Sequence, residues 1–336
     1  MHVSDAMPGI RRVRRGRGFA YRGSQGRWLN DPEEIARIRR LAIPPAYSEV
    51  WICPLPNGHL QATGRDARGR KQYRYHPDWM AAQGEAKFER LLAFGHALPR
   101  IRARVARDLR QGTATLSQNL VLATLVRLLD TTLVRVGNDE YTRENGSFGL
   151  TTLRNPHAKV KGRRLRLSFR GKSGVMHDIT IEDPRLARVV RRCQDLPGQD
   201  LFQYQDEDGE VRRIGSADVN DYIAAAAGAR FTAKDFRTWH GSALALELAC
   251  KARHCNGGQG FLIKPALSEV ASRLRNTPAV CRSSYIHPKV LSLWQQLAAA
   301  SADEAGSLVE AMAARSAEQR LLRFLRPIPT RSHKRA

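Results

Sequence analysis

The sequence predicts an α+β protein of two domains. A small β-sheet domain with one or two helices occupies residues 1–80, and a mostly α-helical domain with a β-hairpin insertion occupies residues 81–336. Three observations predict this. Branched and aromatic residues gather between Glu49 and Tyr75 around an Asn57-Gly58 turn signal. From about Trp79 onward, apolar residues recur at helical spacing. Inside that helical text, one stretch of the chain returns to the alternation of a strand pair. A chain of 336 residues, 42% apolar and 26% charged, is long enough to bury a core in each domain.

Taken in order, Ile10 to Asn30 holds seven arginines and no acid, and reads as a flexible arm that touches phosphates. Asp31 is placed to cap a helix over Pro32–Arg40, with Pro32 in its first turn. The segments EVWIC (49–53) and HLQAT (59–63) form two strands joined at Asn57-Gly58, and GRDARGRKQYRY (64–75) then interleaves basic residues with tyrosines. In the second domain Leu120, Leu125, Leu128, Leu129 and Leu133 mark a helix over Ser117–Leu133. RLRLSF (164–169) alternates, GKSG (171–174) turns, and VMHDITI (175–181) alternates again, which makes a hairpin. Thr232 and Asp235 resemble a capping box that opens a helix through about Lys251. Further helices run from Pro265 to about Arg275 and after Pro288. The acid-free end after Glu318 carries Arg320, Arg323, Arg326, Arg331, Lys334 and Arg335, and is expected to fray beyond Pro327.

The charge balance narrows the partner. There are 56 Lys and Arg against 32 Asp and Glu, a net charge of +24. Such an excess repels itself unless a polyanion neutralises it, and nucleic acid is the natural polyanion. No basic helix with an aromatic apolar face speaks for a membrane surface, and no stretch is long and apolar enough to span one. MHVSDAMPGIRR lacks the apolar core of a signal peptide. Cys53, Cys193, Cys250, Cys255 and Cys281 are odd in number and scattered, which argues for a reducing compartment and a cytoplasmic, nucleoid-associated location. Cys250, His254 and Cys255 lie close together, but no second ligand pair follows, so no metal site is expected.

Several residues invite a chemical reading, and each alone has a plain one. Gly171-Lys172-Ser173 looks like the end of a nucleotide-binding P-loop, but Arg166 stands where that motif needs glycine and a strand follows where it needs a helix. No nucleotide site is therefore expected, and Lys172 reads as a turn lysine. Arg135 follows an apolar helix, where a cation suits the dipole. Arg237 lies in the first turns of its helix, where a cation is unfavourable, and a structural role is a poorer explanation. Tyr285, in NTPAVCRSSYIHP (276–288), would pack at a helix junction.

As an ordered set, Arg135, Lys172, Lys234-x-x-Arg237, Asn276 and Tyr285 resemble the catalytic domain shared by type IB DNA topoisomerases and tyrosine recombinases. The segments RVGNDEYTRENGSFGLTTL (135–153), FRGKSG, KDFRTW and NTPAVCRSSYI are similar to those of the poxvirus-like and bacterial topoisomerases. ATGRDARGRKQYRYHP (62–77) is similar to their major-groove contact segment. The resemblance covers roughly residues 30 to 290. It implies a C-shaped clamp around duplex DNA, with Arg70, Lys71, Gln72, Tyr73 and Tyr75 as groove contacts and Tyr141 and Lys234 as further DNA contacts. It also implies a monomer that needs neither ATP, cofactor nor metal. Arg135 and Arg237 would clamp the nonbridging phosphate oxygens, Lys172 would protonate the leaving oxygen, and Tyr285 would form a 3′-phosphotyrosine. At Asn276 the poxvirus enzymes carry histidine. An amide still donates a hydrogen bond but brings no charge. His240, one turn beyond Arg237, is expected to pack rather than react. Two other readings fit the same residues: a tyrosine recombinase, and a catalytically inactive DNA-binding clamp. KDFRTW in place of His-x-x-Arg favours the topoisomerase over the recombinase.

Overall fold

The structure, a computed structural model, describes residues 1–110, 115–255, 261–301 and 316–326 together with Glu304 and Leu308, with only the backbone at 81, 83, 85 and 252–255. His254, Cys255 and the basic end beyond Arg326 lie outside the residues whose side chains are described. The chain divides into two compact units, Met1–Lys87 and Phe88–Ala336. Among the described residues no helix is long and apolar enough to cross a membrane.

The first unit is an antiparallel five-stranded sheet in the order β2-β1-β3-β4-β5, with β1 Ile10–Arg15, β2 Gly18–Arg22, β3 Ser48–Ile52, β4 Leu60–Arg65 and β5 Lys71–Tyr75. Strand alternation sends Ile10, Val50, Ile52 and Ala62 to one face, where Ile38 of helix α1 (Pro32–Arg40) covers them. It sends Trp51 to the other, and the irregularity in the β4–β5 pairing between Leu60 and Ala62 turns Leu60 there as well, against Val3 and Cys53. The Asp31 carboxylate caps α1 by accepting from Glu33 N at 2.9 Å. The Asn57-Gly58 signal does join two strands, but through a longer connection: Gly58 N donates to Leu55 O at 3.1 Å, and β4 begins only at Leu60.

The arginine-rich segment after Ile10 is not a flexible arm. It is the β1–β2 hairpin, paired from Arg11↔Arg22 to Arg15↔Gly18. Charge density alone suggested an arm, yet Tyr21 packs on the core beside α1. Arg12 also donates to the carbonyls of Ile43, Pro44 and Tyr47 at 3.1, 3.0 and 2.6 Å.

The second unit is largely helical. Helix α3 (Gln118–Thr132) is buried on nearly every side, so its apolar residues do not form a single stripe. Helix α7 (Ala233–Cys255) packs against it and against α8 (Ile263–Leu274), α10 (Pro288–Ala299) and the helix Ala317–Leu325. Asp235 reaches back to Thr232 N at 2.7 Å and so closes the start of α7. The hairpin insertion is β7 (Arg164–Arg170) with β8 (Met176–Glu182), joined by β6 (Ala158–Lys161) into three strands. Leu165, Leu167 and Phe169 point inward and Arg164, Arg166 and Arg170 outward.

Helix α2 (Pro77–Asp108) crosses α7 where Gly95 meets Trp239. A Cβ at Gly95 would overlap the Trp239 ring and lie 2.8 Å from Leu322 Cδ2. Gly95→Ala is therefore expected to destabilise the protein by about 1–3 kcal/mol through overpacking. Thermal denaturation measures this; an unchanged midpoint would show that the crossing yields freely.

Candidate active site

The site is assembled around one buried guanidinium. Arg237 is only 4% exposed. It projects from the first turns of α7 toward the C-terminal ends of two other helices. Its Nη1 donates to Leu133 O, and its Nη2 to Leu274 O at 2.8 Å. Leu133 is the left-handed cap of α3 (φ 57°), and Leu274 is the last residue of α8. Helix ends leave carbonyls without partners and carry partial negative charge, so both welcome a cation. No carboxylate pairs with Arg237 among the described residues, and its Nε has no partner.

Arg135 follows the same cap of α3. The turn is fixed by Leu150 N donating to Arg135 O at 2.9 Å and Thr151 N to Val136 O at 2.7 Å. The guanidinium donates to Asn276 Oδ1. The other end of that amide, Nδ2, is buried and finds no acceptor. Burial holds the Arg135 pKa below the ordinary arginine value, and Arg237 adds repulsion that Tyr285 partly offsets. The group remains a cation at any working pH.

Tyr285 caps the short helix α9 (Pro278–Ser284), which Thr277 opens and Pro278 starts. Its side chain is 9% exposed, and the Arg237 guanidinium carbon lies 4.9 Å from its ring centroid. Burial pushes the phenol upward. The charge and hydrogen bond of Arg237, then the charges of Arg135 and Lys234, outweigh it, and the net shift is below the ordinary tyrosine value near 10.0. A lowered phenol is a better-populated nucleophile.

The structure thus brings Arg135, Arg237, Asn276 and Tyr285 together, with exposed Lys234 near enough to act on the phenol. Lys172 is placed otherwise. It is exposed at the tip between β7 and β8, and its ammonium lies 5.3 Å from the centroid of the Tyr141 ring. It is not among the charges that act most on Tyr285. The tip is a tight turn, with Ser173 and Gly174 both left-handed at φ 64° and 79°. Behind it, His177 is buried and stacked on Phe169 at 4.7 Å. Burial, then Arg275, Arg135 and Arg237, hold His177 down to about 4, so the arginine cluster faces a neutral imidazole.

His240 does not face the phenol. Its Nε2 lies 2.8 Å from Asp130 Oδ1, and Arg102 bridges Asp130 and Glu318 at 2.7 Å each. This network ties α7 to α3 and to the helix Ala317–Leu325, and it engages both Asp130 and Glu318.

In the first unit, Tyr73 and Tyr75 are exposed and stacked 6.1 Å apart. Lys71 pairs with Asp5 at 2.6 Å, and Arg70 with Asp66 at 2.6 Å. Gln72 also donates to Asp66, at 3.1 Å. The strand period puts Lys71, Tyr73 and Tyr75 on one face and Gln72 on the other. On this edge strand Lys71, Tyr73, Arg74 and Tyr75 are exposed and Gln72 is half-buried.

Two residues that the sequence did not single out seat Tyr285. A Cβ at Gly241 would lie 2.7 Å from Tyr285 O and 3.2 Å from Tyr285 Cβ, so glycine lets the tyrosine backbone lie against α7. Ser242 Oγ donates to Tyr285 O at 3.2 Å and accepts from His287 N at 3.0 Å. Nothing local marks them, since their partner is 44 residues away for Gly241 and 43 for Ser242.

A tyrosine lowered by two arginines that have no carboxylate partner among the described residues, with an amide donor beside it, is an arrangement suited to phosphoryl transfer. Comparison with known proteins makes the class specific. The family model for the catalytic core of eukaryotic DNA topoisomerase I matches residues 76–310, and that for the N-terminal domain of bacterial DNA topoisomerase IB matches residues 18–66. DNA topoisomerase 1B of Acanthamoeba polyphaga mimivirus is 33% identical over 298 residues, 86% of this chain and 88% of the relative. DNA topoisomerase 1B of vaccinia virus (strain Copenhagen) is 26% identical over 162 residues, 47% of this chain and 49% of the relative. The chain belongs to the type IB DNA topoisomerase family.

If Tyr285 is the attacking group, Gly241→Ala is expected to slow single-turnover DNA cleavage at least tenfold, because a displacement of an attacking atom well under 1 Å already costs an order of magnitude or more, at roughly 100-fold per 1 Å. Duplex binding by the folded protein should persist. Cleavage at the parental rate would show that the close approach does not position Tyr285.

Proposed function

We propose that Tyr285 attacks a backbone phosphate of duplex DNA and breaks its bond to the 5′ oxygen, leaving a 3′-phosphotyrosine. The observation that carries this is the phenol lowered by Arg237 and Arg135 despite its burial. Attack adds negative charge to the nonbridging oxygens, which two planar, permanently charged guanidiniums stabilise. The orphan Nδ2 of Asn276 supplies a third, uncharged donor.

The 5′ oxygen leaves with a proton from Lys172, which the hairpin tip carries toward the DNA. Tyr141, under the Lys172 ammonium, and exposed Lys234 contact the same strand. In the first unit, Arg70, Lys71, Gln72, Tyr73 and Tyr75 meet the major groove. One chain carries the whole set, so the enzyme works as a monomer. The free strand end swivels, the 5′ hydroxyl attacks the phosphotyrosine, and the strand is resealed with supercoils of either sign relaxed. The phosphotyrosine keeps the energy of the broken bond, so resealing draws on no nucleotide.

The test is relaxation of a negatively supercoiled plasmid in EDTA without ATP, parent against Tyr285→Phe. The parent is expected to relax it and the variant to bind without relaxing it. Relaxation by Tyr285→Phe would remove Tyr285 from the mechanism.

A further inference from the structure

The β1–β2 hairpin is more than an edge of its sheet. Only Ile10 and Arg11 of β1 pair with β3, whereas β1 and β2 stay paired from Arg11↔Arg22 to Arg15↔Gly18. Most of the hairpin is thus a two-stranded ribbon that extends past its neighbour. Such a ribbon is marginal alone and needs an anchor. Arg12 provides one through three carbonyls and lies 4.2 Å from the centroid of the Phe19 ring.

The other arginines of the segment do nothing comparable for the fold. Arg11, Arg14, Arg15, Arg17, Arg22 and Arg27 are all exposed. None has a carboxylate partner among the described residues, and no acid occurs between Ile10 and Asn30. Arg22 and Arg15 flank exposed Trp28 at 4.6 and 6.0 Å from its ring. By register, Arg11, Arg15 and Arg22 share the sheet face of Trp51, Thr63, Lys71 and Tyr73. The acids on that face, Asp5 and Glu49, are already paired with Lys71 and Arg65. The ribbon's charge is therefore surplus at one end of the face, with stacked Tyr73 and Tyr75 at the other.

We propose that the β1–β2 ribbon is a second duplex-DNA contact, which grips phosphates beyond the reach of β5. A two-stranded ribbon has the width of the major groove, and arginines on it contact the flanking phosphates. The sheet's five strands span four spacings of about 4.8 Å. The ribbon's two strands therefore lie roughly 14 and 19 Å from β5, about four to six base pairs along a duplex at 3.4 Å each. The inference rests on the topoisomerase reading for its substrate, but not on Tyr285 chemistry.

The test compares Arg15→Gln/Arg17→Gln on the ribbon with Arg39→Gln/Arg40→Gln at the end of α1, which removes the same charge from exposed positions outside the ribbon. Anisotropy binding to a 40-base-pair duplex is followed from low to high salt, each protein being checked for an unchanged thermal midpoint. The ribbon variant is expected to lower the slope of log affinity against log salt by about 2, at about 0.9 per phosphate, and the control to leave it unchanged. Equal slopes for parent and ribbon variant, or equal losses in both variants, would overturn the ribbon contact while plasmid relaxation by the parent still stood. A parent that neither bound nor relaxed DNA would instead overturn the topoisomerase reading.

Discussion

A buried guanidinium with no carboxylate partner among the described residues is the constraint on which the site depends. Removing a charge from water costs several kcal/mol even after relaxation. A helix C-terminus returns at most about 2 kcal/mol. Arg237 uses two such ends, at Leu133 and Leu274, and stacks near Tyr285. These partners hold the side chain in place without cancelling its charge. An ion pair with a carboxylate would be easier to bury, but it would leave little field for the phenol or the phosphate.

The surrounding fold keeps that field intact. Asp130 lies on α3 a few residues before the cap that binds Arg237, but Arg102 and His240 hold it. Burial would raise Asp130; those two partners bring it down to about 2, so it remains an anion and stays engaged. His177, on the strand behind the lysine tip, is kept neutral by burial and by the same arginines. Among the described residues, the charges that act most on Tyr285 are all positive. Gly241 and Ser242 then hold the Tyr285 backbone against the helix that carries Arg237.

The sequence disclosed the parts of this arrangement that are local. The strand alternation at RLRLSF, the Asp31 cap and the Thr232–Asp235 start of α7 depend on neighbours a few residues apart. Arg237 was legible as an anomaly, a cation at the wrong end of a helix. Its explanation was not, because the carbonyls that hold it lie 104 and 37 residues away in the chain. The same holds for Gly241, whose need for glycine exists only once Tyr285 lies against it. The Ile10–Asn30 segment misled for a different reason. Seven arginines obscured the alternation of Phe19 and Tyr21, and the ribbon is secured by Arg12 bonding to distant carbonyls rather than by apolar burial alone. Lys172 was legible as a tip residue, but its approach to the Tyr141 ring was not.

The central claim is that Arg237 and Arg135 lower the Tyr285 phenol against the opposing effect of burial. Site-specific carbon NMR of the Tyr285 ring, titrated against pH in the parent and in folded Arg237→Gln, measures this directly. The account predicts that the parent titrates below the ordinary tyrosine value of about 10 and that the variant titrates higher. A parent phenol at or above the ordinary value, or the same midpoint in both proteins, would contradict it.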